Sequence, residues 1–430
     1  MSELTSGKER RRFFGIVEAQ PNAHGIHWLT VASNLGFTPI FLTRDAARYG
    51  RLRTFERVIS ESGTIVLTAE TASPESLLRA VEPYASSGGL AGLFSQSDYY
   101  VPVTAVIARE LGLPTPAPGA AFAARDKILM REVCSAAGVP CPRWVHAESL
   151  DAALDAISEV GLPCVLKPPM GAASSNVVLC ESAGDVRRHF AAIASPPHDR
   201  RGRPRRPGVL VEQYLCGYEV SVDLVRNGAE TVVLGVSDKR LSPHPYFAEI
   251  GDAFPSALPA AVTEQLTSAA IDALEALKLD FGAAHIEIRM TADGPRLIEV
   301  NPRLGGDNIP DLMQHSLGVD VRSQLVALHA GFDPDFSPRR QGGAATSWFT
   351  VPTAGTLVAI EGVQSALACP GVVEIHLDVE PGDYVSPAVS DRELYGYVLA
   401  VADSSVEAVR RAETAYNHVR LVVDPGPAPR

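Results

Sequence analysis

The sequence predicts an α/β and α+β multidomain protein that opens with a Rossmann-like βα unit. Three observations predict it. Apolar runs of strand length alternate with helical stretches over roughly the first 120 residues. A proline-rich segment, Leu113-Pro114-Thr115-Pro116-Ala117-Pro118, then interrupts the pattern and reads as a linker, because it can continue neither a helix nor a central strand. Beyond it the hydrophobic period changes to the alternation of half-buried strands, joined by an Asp-Gly turn. A chain of 430 residues is long for one core, so two or three domains are expected.

Phe13-Phe14-Gly15-Ile16-Val17-Glu18 reads as a strand, Ile26 to Leu35 as a helix and Thr38-Pro39-Ile40-Phe41-Leu42 as the next strand. Thr64 to Leu67 and Gly89 to Phe94 complete a small parallel sheet. The first strand runs into Pro21-Asn22-Ala23-His24-Gly25 rather than Gly-x-Gly-x-x-Gly, which argues against a nicotinamide cofactor. After the linker, Ala124-Arg125-Asp126-Lys127 opens a helix ending near Gly138, and Leu162 to Lys167 forms a strand that ends on a lysine. Pro168 to Asn176 is a loop of small and hydroxylated residues. It is either a plain hairpin connection or one whose N–H groups approach phosphate oxygens closely. Val209 to Leu215 and Gly217 to Leu224 are further strands, carrying Glu212 and Glu219 where each is either a surface acid or a partner for a nucleobase or ribose. Gly343 to Asp424 reads as a small α+β cap without evident chemistry.

The densest chemistry lies in His285-Ile286-Glu287-Ile288-Arg289, the turn Asp293-Gly294-Pro295 and Leu297-Ile298-Glu299-Val300-Asn301-Pro302-Arg303. Alternate side chains of a strand share a face, so His285, Glu287 and Arg289 line one side and the isoleucines the other. Pairing about Asp293 makes Glu287 and Glu299 cross-strand neighbours, with Cβ atoms about 5 Å apart. Two carboxylates that close need a cation, and with an Asn oxygen they form hard ligands suited to Mg²⁺. The alternative is a solvated hairpin with ordinary surface charges.

Composition excludes several classes. Hydrophobic residues at 46% and charged residues at 20% describe a folded, enzyme-like chain rather than a disordered one. A net charge of -12 argues against a general nucleic-acid or membrane-surface binder. Arg200, Arg201, Arg203, Arg205 and Arg206 form a basic loop without interleaved aromatics, read as a solvated, mobile insertion. Six cysteines without a Cys-x-x-Cys pair indicate neither zinc nor a disulfide framework. The N-terminal Arg10-Arg11-Arg12 leads into no long apolar segment, so no signal peptide or membrane span is expected and a cytoplasmic location follows by default.

In this order the motifs resemble the ATP-grasp carboxylate–amine ligases, closest to the bacterial L-amino-acid ligases (dipeptide synthetases), from about residue 95 to 320. The resemblance rests on Arg125-Asp126-Lys127, Val165-Leu166-Lys167 with its Ser-rich loop, Glu212-Gln213-Tyr214-Leu215, Gly217-Tyr218-Glu219, Glu287 and Glu299-Val300-Asn301-Pro302-Arg303. It implies an ATP-grasp fold. Residues 1–120 would form the N-terminal βα domain, 121–215 the small lid domain, and 216–430 the C-terminal domain with its cap from about 340. It implies that Lys127, Lys167, Ser174 and Ser175 meet ATP phosphates, that Glu212, Gln213, Tyr214 and Leu215 surround adenine, and that Glu219 binds ribose. Glu287, Glu299 and Asn301 would hold Mg²⁺, two ions being usual and Mn²⁺ an alternative, and Arg303 would stabilise the acyl phosphate and the later oxyanion. Glu249 would recognise a substrate ammonium group, with Asp252, which stands where relatives carry a histidine, either adding negative charge or facing solvent. Gly306 and Asp307 would meet the second amino acid.

The implied reaction is ATP-dependent amide formation between an amino-acid carboxylate and an amine, through an acyl phosphate, releasing ADP and phosphate. The partners are small-molecule carboxylates and amines, with no nucleic acid or membrane, and a homodimer follows from the family alone. Two rivals stand beside it. One is a ligase of secondary metabolism using a non-amino-acid carboxylate or an unusual amine such as a diamine or hydrazine; the other is a non-catalytic nucleotide-binding protein. A biotin-dependent carboxylase is disfavoured, because no Met-Lys-Met attachment segment is present.

Overall fold

In the computed structural model, residues 12–426 are described except 51, 53, 195–197, 199–202 and 204. Residues Arg10, Arg11, Arg200 and Arg201 lie outside them. The first sheet is parallel, in the order Ile65–Thr68, Thr38–Thr43, Phe13–Val17, Leu90–Phe94. Its first connection is the helix Ala23–Asn34, which starts where Asn22 accepts the Gly25 N–H at 2.8 Å. Gly25 is required there: a Cβ would stand 2.1 Å from the Gln20 carbonyl oxygen. That close turn aims Gln20, Asn22 and His24 at the central cavity.

An eight-stranded antiparallel sheet forms the body, in the order Gly294–Asn301, Phe281–Thr291, Tyr218–Asn227, Glu230–Leu241, Glu249–Phe254, Gly343–Trp348, Gly396–Ala402, Val372–Leu377. The sequence cap is therefore continuous with the main sheet, since its strands extend the ladder. Only Tyr384–Val385, Gly355–Glu361 and Arg420–Asp424 form a separate small sheet. One face of the body buries Val220, Val222, Ile286, Ile288 and Val300 beneath the helices Lys127–Ala136 and Ala260–Leu277. A second core joins Phe14 and Phe94 of the first sheet, and Trp28 of the helix Ala23–Asn34, to Leu312, Leu325 and Phe254, fixing the first sheet against the body. The lid is a four-stranded antiparallel sheet, in the order Trp144–Ala147, Val209–Gln213, Cys164–Lys167, Val178–Cys180.

Two expectations are corrected. Ala124 and Arg125 end the helix Pro118–Arg125 instead of opening the next; Asp126 sits extended between them and accepts the Ile128 and Leu129 N–H groups at 2.9 and 3.2 Å. A short acid that caps a helix terminates the previous one. The described arginines of the basic loop are docked rather than solvated. Arg206 pairs with Asp126 at 2.8 Å, Arg205 donates to the Ile193 carbonyl at 3.3 Å, and Arg203 lies over the Tyr99 and Tyr100 rings at 4.6 and 5.0 Å. Guanidinium groups find carboxylate and ring faces across the sequence that local composition does not reveal.

Candidate active site

The hairpin pairs in the expected register. Glu287 stands opposite Glu299 and His285 opposite Asn301, with a bulge beyond Glu287 that leaves Ile298 out of the ladder. The isoleucines go into the core and the polar face lines a cavity of about 580 Å³ between lid, body and first sheet. Each facing carboxylate holds an ammonium: Lys239 Nζ lies 2.9 Å from Glu287, and Lys127 Nζ 2.8 Å from Glu299. Burial pushes Glu287 up, but the Lys239 ammonium outweighs it and holds the carboxyl well below its ordinary range. Lys239 also pairs with Glu249. Arg303 is gripped by Asp98, through Nε at 2.5 Å and Nη2 at 2.8 Å, a two-point contact that fixes the plane of the guanidinium.

The residues fit Mg²⁺ on one condition. The amide atom of Asn301 nearest the carboxylates lies 3.2 Å from Glu299 Oε1 and 3.3 Å from Asp98 Oδ1; as nitrogen it donates to both, and turned over it presents a third oxygen. Among the described residues no three His, Cys, Asp or Glu side chains converge as a complete metal cage. A cation here would take its remaining ligands from phosphate oxygens, the usual manner of Mg²⁺.

At the nucleotide end, Lys167 and Arg131 share Glu212, at 2.6 and 2.7 Å. Burial raises Glu212, yet the two cations bring it down to about 2. Glu212 lines the cavity with both carboxylate oxygens engaged, one by Arg131 and one by Lys167. The N–H groups of Gln213 and Tyr214 are taken by the Arg143 and Pro163 carbonyls, at 2.8 and 3.3 Å, and Arg289 Nη1 donates to the Leu215 carbonyl at 2.8 Å. Arg289 also binds Glu219, which leaves Gln213, Tyr214, Leu215 and Glu219 around one wall. Ser174 and Ser175 lie in the roof loop.

At the far end Glu249, Gly306 and Asp307 line the cavity, and Asp252 does not. Asp252 is 5% exposed, beneath Glu249. Burial and the Glu249 carboxylate raise it well above the ordinary range. Depth explains the difference: a bulge beside Ile250 sets Glu249 opposite Leu241 and Asp252 opposite Lys239, so both acids face the same side and Asp252 lies under its neighbour. Several contributors escaped sequence reasoning. Asp98 follows the carboxyl end of strand Leu90–Phe94, where ligands of open α/β sheets gather, a signal that could have found it. Lys239 and Asp223 lie mid-strand without a motif. His376, Asp378, Asp391, Arg392 and Tyr397 come from the cap and reach the cavity only through folding.

Comparisons with known proteins agree along the chain. The family descriptions "ATP-grasp N-terminal domain", "ATP-grasp domain" and "L-amino acid ligase C-terminal domain 2" match residues 29–115, 160–311 and 347–424. An uncharacterised protein, y4rH, of Sinorhizobium fredii is 29% identical over 98% of the chain and 85% of its own length. Carnosine synthase 1 of Homo sapiens is 32% identical over 59% of the chain, which spans 32% of that enzyme's length. The crystal structure of L-amino acid ligase from Bacillus licheniformis superposes with a TM-score of 0.77 over 96% of this chain and 99% of that one, at 19% identity. The expected fold class is thus found. With these segments in chain order around a cleft that gathers cations, facing carboxylates and a clamped arginine, the chain belongs to the ATP-grasp proteins that carry an L-amino acid ligase C-terminal domain.

Proposed function

We propose that this ligase joins the carboxylate of an amino acid to the amine of a second small molecule. The observation that carries the reading is the convergence of Lys127, Lys167, Glu287, Glu299, Asn301 and Arg303 on one cavity whose other end bears Glu249 and Asp307. Lys127 and Lys167 stand where nucleotide phosphates would lie and would exchange their present carboxylate partners for them. Glu287, Glu299 and Asn301 would hold Mg²⁺, which supplies charge neutralisation to the phosphate oxygens when bound. The reading extends to two ions, with Mn²⁺ able to replace Mg²⁺, and to a cytoplasmic homodimer.

In the first stage a substrate carboxylate oxygen attacks the γ-phosphorus and the bond to ADP breaks, leaving an acyl phosphate. In the second an amine nitrogen attacks the acyl carbon, sheds a proton, and the phosphate leaves with the electron pair of the broken C–O bond. Arg303, held in plane by Asp98, faces the oxygen that gains charge in both stages. Glu249 accepts the ammonium of the activated amino acid.

A second reading is favoured by the acid-rich end. Glu249, Asp307, Asp378 and Asp391 line it together, and burial with the nearby carboxylates raises Asp307 and brings Asp391 up to about 8. Such a wall suits a diamine or another doubly basic amine better than an amino acid bringing its own carboxylate. Phosphate release with ATP and Mg²⁺ over pairwise mixtures of amino acids and small amines, with mass spectrometry of the products, tests both. A product of two substrates minus water, absent in Glu299→Ala, is expected. Phosphate release with no mixture, despite ATP binding, would overturn the amino-acid reading.

A further inference from the structure

The roof loop, residues 168–177, holds Ala173, Ser174 and Asn176 in the left-handed region, with φ of 55°, 50° and 63°. Asn adopts that conformation readily, but Ala and Ser keep it at a cost that surrounding contacts must offset. Two sets of contacts do so. From below, Arg125 donates to the Gly171 and Met170 carbonyls at 2.7 and 3.0 Å. From the cap, the turn Asp391–Glu393 reaches over: the Asp391 N–H donates to the Ala173 carbonyl at 3.3 Å, and Arg392 Nε donates to Ser175 Oγ at 2.8 Å.

The same turn reaches the substrate strand. Asp391 Oδ1 accepts the backbone N–H of Glu249 at 2.8 Å. One residue therefore ties the roof through its main chain and the ammonium-binding strand through its carboxylate. The turn has its own support besides these contacts: Glu393 Oε2 accepts from Ser390 N and Oγ at 3.0 and 2.8 Å in a capping box.

We propose that Asp391 and Arg392 are positioning residues that latch the roof loop over the phosphates and couple its closure to the Glu249 subsite, and so decide whether the acyl phosphate meets the amine or water. This rests on the ligase reading above. In productive turnover the amine nitrogen bonds to the acyl carbon and phosphate departs with the C–O electron pair. With the roof unlatched, a water oxygen bonds to that carbon instead, loses a proton, and the same phosphate departs, returning the free carboxylate.

The test uses the full chain with ATP, Mg²⁺ and a productive substrate pair, counting phosphate released against amide formed. The wild type is expected near parity, and Arg392→Ala, which removes the side-chain tie to the roof, to release severalfold more phosphate than amide. Ser175→Ala removes the other half of the Arg392 contact without touching the cap, so it should raise the ratio similarly and add nothing to Arg392→Ala. Asp391→Ala should raise the KM of the ammonium-bearing substrate. Hydrogen exchange of residues 168–177 with a bound non-hydrolysable ATP analogue reads the latch without turnover, and faster exchange is expected in Arg392→Ala and Ser175→Ala. Unchanged exchange and an unchanged ratio in variants that melt like the wild type would overturn the latch. A wild type that turns over no pair, yet shows faster roof exchange in the variants, would overturn the ligase reading and leave the latch standing.

Discussion

Arg303 shows how one side chain acquires a role from its neighbours. Asp98 grips it through two hydrogen bonds, and burial leaves the pair little water to dilute the contact. Arg303→Ala is expected to lower the turnover number by about 10²–10³-fold, the scale of losing an oxyanion donor. Arg303→Lys should recover little, because an ammonium cannot make the planar two-point contact; steady-state kinetics separates the two. Glu212 carries a different load. Its carboxylate bridges Arg131 and Lys167, so Glu212→Gln leaves two buried cations poorly compensated and should cost about 3–5 kcal/mol in denaturant unfolding. His285 gives a pH signature. Burial lowers its pKa, but Asp223, with oxygens at 3.0 and 3.1 Å, reverses that and sets it at about 9. A raised folded value stabilises fully below the unfolded value near 6.5 and loses that stability as pH rises through 9. Melting curves should thus fall between those pH values, by up to about 3 kcal/mol, and flatten in Asp223→Asn.

At the scale of elements, strand parity decides which side chains meet. The hairpin 281–301 was legible because its apolar and polar residues alternate and an Asp-Gly turn sets the register; the observed Glu287–Glu299 pairing follows. Asp252 was not, since the bulge that returns it to the Glu249 face, and its depth there, are set by pairing with the neighbouring strand. The strand Glu249–Phe254 also carries a steric requirement. A Cβ at Gly251 would stand 2.8 Å from the Thr346 carbonyl oxygen and 2.6 Å from the Arg240 guanidinium. Gly251→Ala should therefore push the neighbouring strand away, cost about 1–3 kcal/mol and weaken amine-substrate binding through Glu249; calorimetry and KM measure the two effects.

At the scale of the whole molecule the cap completes the body. Strand Gly343–Trp348 pairs with Glu249–Phe254 on one side and Gly396–Ala402 on the other. A chain cut before Gly343 would expose the edge of Glu249–Phe254 with its unpaired backbone groups. Size-exclusion chromatography should find that truncation aggregated rather than a smaller active ligase. Local pattern in the sequence determined the βα opening, the alternating strands, the facing carboxylates and the order of motifs that marks the family, because each depends on residues near one another in the chain. Tertiary structure alone decided that Asp98 clamps Arg303, that Lys239 joins Glu249 to Glu287, and that Asp391 and Arg392 reach the roof loop. Those contacts span long sequence separations, and what selects them is the burial of charge in a shared cleft, which exists only once the sheets have packed.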